Sequence, residues 1–290
     1  MDKPNKPEKQ TKLTFIKQKK WVYQLKMAWI VLQVLLVLLL VGCFFAGGVA
    51  AGYFASFVHD EPIRTLSEIR TNISTVEQTS EVYFRNNQFI GYLRTESHRL
   101  PVEYEEVSEH LINAILATED NEFFDHPGIN VRSFGRAVLE ELTSPGEGTG
   151  GSTITQQLVK NQFLSPERSF ERKFNEMLLA MRVERFIPKE EILEAYMNMI
   201  YLGYNANGTN IEGVGAAAEG IFGVKAGDLN LAQAAYLAGM IQSPGRYTPF
   251  NRNGTINEEN LNRGLERMKY VLRRMLETSR ITKDEYDEAL

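Results

Sequence analysis

Cysteine and histidine are scarce in this chain, which has one cysteine and four histidines among 290 residues. A single cysteine excludes an intrachain disulfide framework and any zinc site built on several cysteines. The four histidines are scattered and form no metal-binding cluster in the sequence. The net charge of −5 gives no reason to expect a nucleic acid as a partner. Ser-x-x-Lys and Lys-Thr-Gly are also missing, which excludes a serine acyl-transfer site of the β-lactam-sensitive type in these residues.

Charge of either sign is absent from a long apolar run near the N-terminus. The run extends from Met27 to Val58, and Gln33 is its only strongly polar residue before Ser56. It exceeds the roughly 20 residues that span a bilayer, and eight lysines precede it within residues 1–26. We therefore predict a cytoplasmic basic tail at 1–26 and a transmembrane signal anchor at 27–58. The remainder would lie outside the cell membrane, which makes this a single-pass protein.

Other interpretations of the apolar run fit less well. A cleavable signal peptide has an apolar core of about 7–15 residues, which is shorter than this run. The segment Leu40-Val41-Gly42-Cys43 resembles a lipoprotein cleavage box, but the residues after it stay apolar where a lipoprotein passes to a polar tether. We interpret Cys43 as an inert intramembrane thiol. A buried hairpin helix is the remaining alternative.

The rest of the chain divides into a polar linker at 59–80 and a domain at 81–290. Two short apolar runs on either side of residues 85–88 predict a β-hairpin, because Asn-Asn favours a turn. Beyond Ser108, apolar residues recur mostly at helical spacing. This pattern predicts helices starting at Ser108 and at about 131–142, 153–163, 169–186, 188–203, 229–241 and 257–277. The predicted fold class is mainly α, with a small β hairpin and an N-terminal transmembrane helix.

Glu119 is the most informative single residue. It lies four residues after Ile115 and three after Leu116, so the first helix of the domain carries a carboxylate on its apolar face. Buried acids are rare unless they are paired or functional. Burial would raise the pKa of this carboxyl, which suits a proton-transfer group near neutral pH. A structural role remains open, in which Glu119 caps the next turn or pairs with His126.

A glycine-rich segment, residues 146–151, precedes another candidate site. Thr153 and Gln156 have the spacing of a capping box, which predicts the start of a helix there. Free backbone N–H groups at a helix start attract anions, and Lys160 lies two turns further on, so a phosphate-bearing ligand would fit. An ordinary loop before a well-capped helix is the alternative.

Three charged residues, Arg172, Lys173 and Glu176, fall within one helical turn. Arg172 and Glu176 are i,i+4 neighbours, and pairs at this spacing are usually solvated surface bridges. The spacing alone therefore favours a surface salt bridge over a functional site.

Five segments, taken in order, form a recognisable set. They are Glu119-Asp120-x-x-Phe123-Phe124-x-His126-x-Gly128, Gly151-Ser152-Thr153-Ile154-Thr155-Gln156-Gln157 with Lys160-Asn161, Arg172-Lys173-x-x-Glu176, Lys189-x-x-Ile192-Leu193-Glu194-x-Tyr196-x-Asn198, and Arg267-x-x-x-Val271-Leu272. Together they resemble glycosyltransferase family 51, the glycan-polymerising domain of class A penicillin-binding proteins and of monofunctional peptidoglycan glycosyltransferases. The resemblance covers about residues 80–290. The family's usual residues differ from this chain at Val224, Gln233 and Met197.

The resemblance implies a lysozyme-like helical domain that polymerises lipid II into linear β-1,4 glycan strands. Glu119 would act as the general base on the acceptor's GlcNAc 4-hydroxyl. That oxygen would attack C1 of the donor with inversion, and undecaprenyl diphosphate would leave. Glu176, the second catalytic candidate, would help hold the diphosphate and the acceptor. Lys160, Arg172 and Lys173 would neutralise the leaving group.

The resemblance also implies a larger set of substrate-side residues. They are Asp120, Phe123, His126, Arg136, Ser152, Thr153, Gln156, Gln157, Lys160, Asn161, Arg172, Lys173 and Asn198. No cofactor is obligatory, although a divalent cation (Mg or Mn) at the diphosphate site is compatible with the family, and its ligands are unknown. The expected partners are lipid II, the growing glycan chain and the cytoplasmic membrane. Other cell-wall synthesis or division proteins are candidate partners.

Two rival functions share the same motifs. A lysozyme-like hydrolase would also need two carboxylates, but the basic residues and the anchor favour synthesis. A non-catalytic scaffold for division proteins would not need both Glu119 and Glu176. The final residues, 280–290, resemble a stretch inside longer bifunctional proteins, so a C-terminal transpeptidase domain is an expectation that the sequence leaves open.

Overall fold

A computed structural model describes residues 7–60, 64–74, 79–92, 97–143, 151–164 and 169–290. The chain divides into two units, residues 1–62 and 63–290. The first unit contains one helix, α1 (Pro7–Asp60), which is 54 residues long. Its apolar stretch Tyr23–Tyr53 spans 31 residues, is exposed wherever its side chains are described, and is long enough to cross a membrane. This stretch overlaps the predicted anchor at 27–58 and fits a single-pass span.

The second unit is mainly helical, as predicted. Its helices α2 to α12 are, in chain order, Leu66–Ser74, Glu109–Glu119, Val131–Thr143, Ile154–Phe163, Phe170–Phe186, Lys189–Met199, Val214–Ala217, Leu231–Met240, Pro244–Tyr247, Glu258–Glu277 and Lys283–Ala289. Short 3₁₀ turns at Tyr104–Glu106 and Ala226–Asp228 and a π-helical turn at Ala218–Phe222 connect some of them.

The predicted β-hairpin is present. Strands β1 (Glu81–Tyr83) and β2 (Phe89–Tyr92) pair antiparallel. Asn87 in the turn has φ +62°, a left-handed conformation that asparagine tolerates better than most residues. The asparagine pair therefore acted as the turn signal that the sequence suggested.

A second sheet was not predicted. It contains β3 (Ser97–Arg99), β4 (Tyr201–Tyr204) and β5 (Asn210–Glu212) in the order β3-β5-β4, with β3 parallel and β4 antiparallel to β5. Gly203, which we expected to end helix α7, lies inside β4 with φ +87°. A Cβ there would lie 2.5 Å from the Cβ of Thr248, so glycine is required by this close approach.

Helix α3 supplies the buried centre of the domain. The predicted stripe of Leu111, Ile112, Ile115 and Leu116 is buried, and α3 packs against α9 and α11. Ser108 precedes the helix as predicted, but its hydroxyl donates to the carbonyl of Leu229 at 2.9 Å instead of capping α3. The stripe fixes the rotation of α3, and thereby the direction in which its last residue points.

Two further details differ from the sequence expectations. The stretch predicted as a linker contains α2, whose Ile69 and Ile73 are buried in the domain core. Gln233 stands where the family usually has glutamate, and it forms a capping box with Asn230 at the start of α9. The amide thus performs the capping that a carboxylate would perform.

Candidate active site

Glu119 is the last residue of α3, and its carboxylate meets α5. Its Oε2 accepts a hydrogen bond of 2.9 Å from Nε2 of Gln157. Burial raises the pKa of Glu119, and Asp120 adds to this effect, whereas the Gln157 hydrogen bond and the charges of Arg267 and Lys160 lower the pKa. Among the described residues, no lysine or arginine lies within salt-bridge distance of Glu119. The carboxyl is therefore poised to take up a proton.

The pairing of Glu119 with His126, one of the structural roles left open, is wrong, because His126 pairs with the neighbouring Asp120. Nε2 of His126 lies 3.0 and 2.9 Å from the two carboxylate oxygens of Asp120, and both side chains are buried. Nδ1 of His126 accepts a hydrogen bond from the backbone N–H of Gly128. Nε2 therefore carries the hydrogen and donates a hydrogen bond to the Asp120 carboxylate. Asp120 is the C-cap residue of α3, and its backbone N–H donates to the carbonyl of Leu116 at 3.2 Å.

The start of α5 binds an anionic group, and that group is the carboxylate of Asp120 from the same protein. The backbone N–H of Ile154 donates to Oδ2 of Asp120 at 3.1 Å. Thr153 and Gln156 form the predicted capping box, which occupies two further N–H groups. The Asp120 carboxylate thus takes the helix-end position at which we expected a phosphate. The glycine-rich residues 146–150 lie outside the described residues.

Glu176 has a different environment from Glu119. Its carboxylate is 2% exposed and pairs with Nζ of Lys173. The same ammonium group donates to Oγ of Ser152 at 2.7 Å. The predicted surface bridge between Arg172 and Glu176 is therefore wrong, since Glu176 is buried and its partner is Lys173. Through Lys173 and Ser152, Glu176 connects to the start of the same helix that carries Gln157.

The remaining predicted cations have varied surroundings. Lys160 lies one turn beyond Gln157 on α5, is half-buried, and its charge acts on Glu119. Arg172 lies on α6 beside Lys173, and its Nε is buried without a hydrogen-bond partner among the described residues. Arg136 is exposed on α4, and Asn161 is exposed on α5. Lys173 thus contacts Ser152 directly, and the charge of Lys160 acts on Glu119.

Three of the predicted substrate-side residues make structural contacts within the domain. Phe123 is fully buried beneath Nζ of Lys189, which lies 4.4 Å from its ring centroid. The side-chain oxygen of Gln156 accepts a hydrogen bond from the backbone N–H of Thr153. Asn198 binds the backbone of Val102 through both its amide oxygen and its amide nitrogen, at 2.9 and 2.8 Å. These residues hold the elements of the site together.

Sequence reasoning missed a buried ion pair behind the site. Lys189 at the start of α7 pairs with Glu184 of α6 and donates to the carbonyls of Phe123 and His126. Glu184 also accepts from the hydroxyl of Thr155. The pair ties the loop after Glu119 to α5, α6 and α7. Charged residues near helix ends usually lie on the surface, so the pattern gave no signal of this arrangement.

Tyr196, part of the fourth motif, was absent from the predicted site residues. Its ring is fully buried on α7, but its hydroxyl donates to Oε1 of Gln157 at 3.2 Å. Arg267, which belongs to the fifth motif but was absent from the predicted site list, acts electrostatically on Glu119. Their presence in the family motifs was the only available signal.

The part of the chain that the structure describes contains no preformed cluster of metal ligands. Within the described ranges, no three His, Cys, Asp or Glu side chains are grouped to hold a metal ion. Glu176, the carboxylate expected at the diphosphate, already pairs with an ammonium group. Any divalent cation would have to draw most of its ligands from substrate phosphates and water, as magnesium often does.

A cavity of about 330 Å³ lies elsewhere in the domain, among α9, α11 and the segment around residues 249–256. Its walls are almost wholly apolar, and none of the predicted site residues lines it. It therefore belongs to a different region from Glu119.

The site residues lie within a region that matches a known family. The family model for Transglycosylase matches residues 85–276, more than half of the chain. The chain therefore belongs to the transglycosylase family, and the resemblance that the five motifs indicated is confirmed.

Within that family, the chain is similar to penicillin-binding proteins 1A. The protein of Aquifex aeolicus is 41% identical over 216 residues, covering 74% of this chain and 28% of the relative. That of Pseudomonas aeruginosa is 37% identical over 243 residues, covering 84% and 28%. The chain thus spans less than a third of the length of these relatives. A 2.6 Å crystal structure of penicillin-binding protein 1A from Haemophilus influenzae is 28% identical, with a TM-score of 0.41, over 75% of this chain and 21% of that one.

Proposed function

We propose that this protein is a membrane-anchored peptidoglycan glycosyltransferase that polymerises lipid II, with Glu119 as the general base. One observation carries the proposal. Glu119 is a largely buried carboxyl whose pKa is raised by burial, and it hydrogen-bonds an amide instead of pairing with a cation. A carboxyl in this environment can accept a proton near neutral pH, which the first step of glycosyl transfer requires.

In the proposed reaction, Glu119 removes the proton from the 4-hydroxyl of the acceptor's GlcNAc. An electron pair on the deprotonated oxygen forms a bond to C1 of the donor chain, and the bond between C1 and the diphosphate oxygen breaks. Undecaprenyl diphosphate leaves with the electron pair, and the configuration at C1 inverts. The proton remains on Glu119 until it is released to solvent, so the step is balanced.

Positive charge near α5 supports the second half of this step. The leaving diphosphate carries the charge that develops in the transition state, and fixed cations stabilise such charge effectively. Nζ of Lys173, a residue of α6, donates to Ser152 just before the start of α5, and Lys160 lies on α5 itself. Arg172 adjoins Lys173 on α6 and has a buried nitrogen without a described partner, which a phosphate oxygen could satisfy. Glu176 orients Lys173 in this scheme, and a divalent cation would add to the cationic charge.

The proposal extends to the position of the enzyme in the cell. The N-terminal lysines would remain in the cytoplasm, α1 would cross the membrane, and the domain would act on its outer side. An enzyme whose substrate is held by a lipid benefits from an anchor in the same membrane. The cell-wall polymer and its lipid-linked precursor are therefore the proposed partners.

Glu119→Gln tests the proposed base. The amide keeps the size of the side chain but cannot accept the proton, so polymerisation of labelled lipid II should fall by about 10²–10⁴-fold. Precursor binding should stay close to that of the wild-type protein. A folded Glu119→Gln protein that polymerises at a near wild-type rate would remove Glu119 from the mechanism. Cleavage of existing polymer by the wild-type protein would instead indicate a hydrolase, and inactivity towards both substrates would indicate a scaffold.

A further inference from the structure

A chain of two hydrogen bonds connects α7 to Glu119. The hydroxyl of Tyr196 donates to Oε1 of Gln157 at 3.2 Å, and Nε2 of Gln157 donates to Oε2 of Glu119 at 2.9 Å. Tyr196 is fully buried, so its ring has little freedom to move away from this position. Three helices, α3, α5 and α7, each contribute one member of the chain.

The direction of these two hydrogen bonds follows from which atoms of the three side chains can donate and which can accept. An ionised carboxylate can only accept hydrogen bonds, whereas a side-chain amide presents a donor at one end and an acceptor at the other. If the amide of Gln157 rotated by half a turn, its oxygen would face the Glu119 carboxylate and repel it. The hydroxyl of Tyr196 donates to Oε1 and so adds to the stability of the amide orientation that serves ionised Glu119.

We propose that Tyr196 is a positioning residue for the reaction, which fixes the Gln157 amide so that its N–H groups face the carboxylate of Glu119. The inference rests on the proposed role of Glu119 as the base. Tyr196 touches neither substrate nor the reacting atoms, and it acts through Gln157. Without its hydroxyl, the amide would sample both orientations, and the ionised form of Glu119 would lose part of its stabilisation.

The charged groups around Glu119 agree with this role. Asp120 disfavours the ionised carboxylate, whereas Arg267 on α11 and Lys160 on α5 favour it. Burial, together with the charges of Glu119 and Asp120, raises the pKa of Tyr196 well above its ordinary value. The phenol therefore stays protonated, and remains a hydrogen-bond donor, across the pH range in which Glu119 titrates.

Tyr196→Phe is the test, because it removes the hydroxyl and keeps the buried ring. In the full-length protein in detergent, the pKa of Glu119 can be followed by carbon NMR of labelled glutamate carboxyls, with Glu119→Gln used to assign the signal. We expect the pKa of Glu119 to rise by roughly half a unit to one unit, the size expected for loss of one hydrogen bond. The acidic limb of kcat/KM should move to higher pH by the same amount, with KM little changed.

Tyr236→Phe is the matched control. Tyr236 is also a buried tyrosine, and its hydroxyl donates to the carbonyl of Tyr247 at 2.9 Å, in the region of the apolar cavity. This variant should lose similar stability and leave the pKa of Glu119 in place. If both variants shifted the pKa equally, the effect would be one of general loosening and the inference would fail.

Gln157→Ala is a second variant that tests the inference by itself if Tyr196→Phe does not fold, because an unchanged pKa of Glu119 in Gln157→Ala would overturn the inference. Gln157→Ala removes the amide directly and should raise the pKa of Glu119 at least as much, and adding Tyr196→Phe to it should cause no further shift. An unchanged pKa in Tyr196→Phe, or a full additional shift in the double variant, would overturn the inference. A raised pKa without movement of the acidic limb would uphold the hydrogen-bond chain and contradict Glu119 as the base.

Discussion

The two carboxylates of the candidate site, Glu119 and Glu176, occupy contrasting surroundings. Glu119 ends α3, is partly accessible, and receives its described hydrogen bond from the amide of Gln157. Glu176 lies in the middle of α6, is 2% exposed, and pairs with the ammonium group of Lys173. Glu184, two turns further along α6, is likewise buried and paired with Lys189. Glu176 and Glu184 thus each have a cation as partner, whereas Glu119 has an amide.

This contrast separates the roles of two residue types that look alike in the sequence. A carboxylate held by an ammonium group favours its ionised form, which suits orientation and charge balance. A desolvated carboxyl with a neutral partner changes protonation state more readily, which suits proton transfer. Substitutions that change one carboxylate or its partner at a time test these separate roles.

The largest effect on stability is expected for Lys189→Met, which leaves Glu184 buried without its cation. Lys189 also donates to two backbone carbonyls of the loop after Glu119. Breaking a buried pair from one side typically costs about 3–5 kcal/mol. Chemical denaturation should show this loss, and Lys189→Met with Glu184→Gln should recover part of it. Lys283→Met, in an exposed pair with Asp287, serves as the control and should change the unfolding free energy by less than about 1 kcal/mol.

A smaller loss is expected for Lys173→Met. The lysine side chain is 33% exposed, so solvent screens part of the interaction with Glu176, and we expect a loss of about 1–2 kcal/mol. Glu176→Gln should cost less, because it leaves no unpaired buried charge. Thermal unfolding of both variants compares them. A larger loss in Glu176→Gln than in Lys173→Met would contradict the assignment of Lys173 as the partner.

Thr153→Ala is expected to cost about 1 kcal/mol through loss of the helix cap. The Thr153 hydroxyl accepts from the N–H of Gln156 and donates to the carbonyl of Gly128 at 2.7 Å. Because α5 carries Gln157, some activity should be lost together with the stability. Thr153→Ser keeps the hydroxyl and should behave like the wild-type protein in the same denaturation experiment. Equal stability of the Ala and Ser variants would show that the cap contributes nothing.

The smallest effect on stability is expected for Glu119→Gln, and the difference in stability from the wild-type protein should depend on pH. The pKa of Glu119 is raised in the folded protein, so ionising this buried group opposes folding. Its contribution is fully favourable below the unfolded pKa and is lost as pH rises through the folded pKa. Glu119→Gln should therefore be slightly more stable than the wild-type protein at neutral pH, and the difference should shrink in acid. Melting temperatures of the variant and the wild-type protein at neutral and at acidic pH provide the comparison. A variant that is less stable than the wild-type protein at neutral pH would contradict the prediction.

The sequence predicted features that depend on near neighbours. The helical stripe of α3, the capping box at Thr153 and the Asn87 turn all follow from spacing within a few residues, and the structure contains them. Pairing choices were harder to predict. His126 pairs with Asp120 and not with Glu119, a choice that their spacing in the sequence does not decide. The sheet joining β3 to β5 brings together residues more than 100 positions apart, which no local pattern specifies.

The pH dependence of glycosyl transfer by the wild-type protein and Glu176→Gln tests the central claim most directly. Single-turnover rates with labelled lipid II, from about pH 4 to 8, should rise with the ionisation of one group whose pKa lies above that of an ordinary glutamate. Glu176→Gln should lower the rate and retain this acidic limb, because the limb belongs to Glu119. Loss of the limb in Glu176→Gln, or its persistence in an active Glu119→Gln protein, would contradict the account.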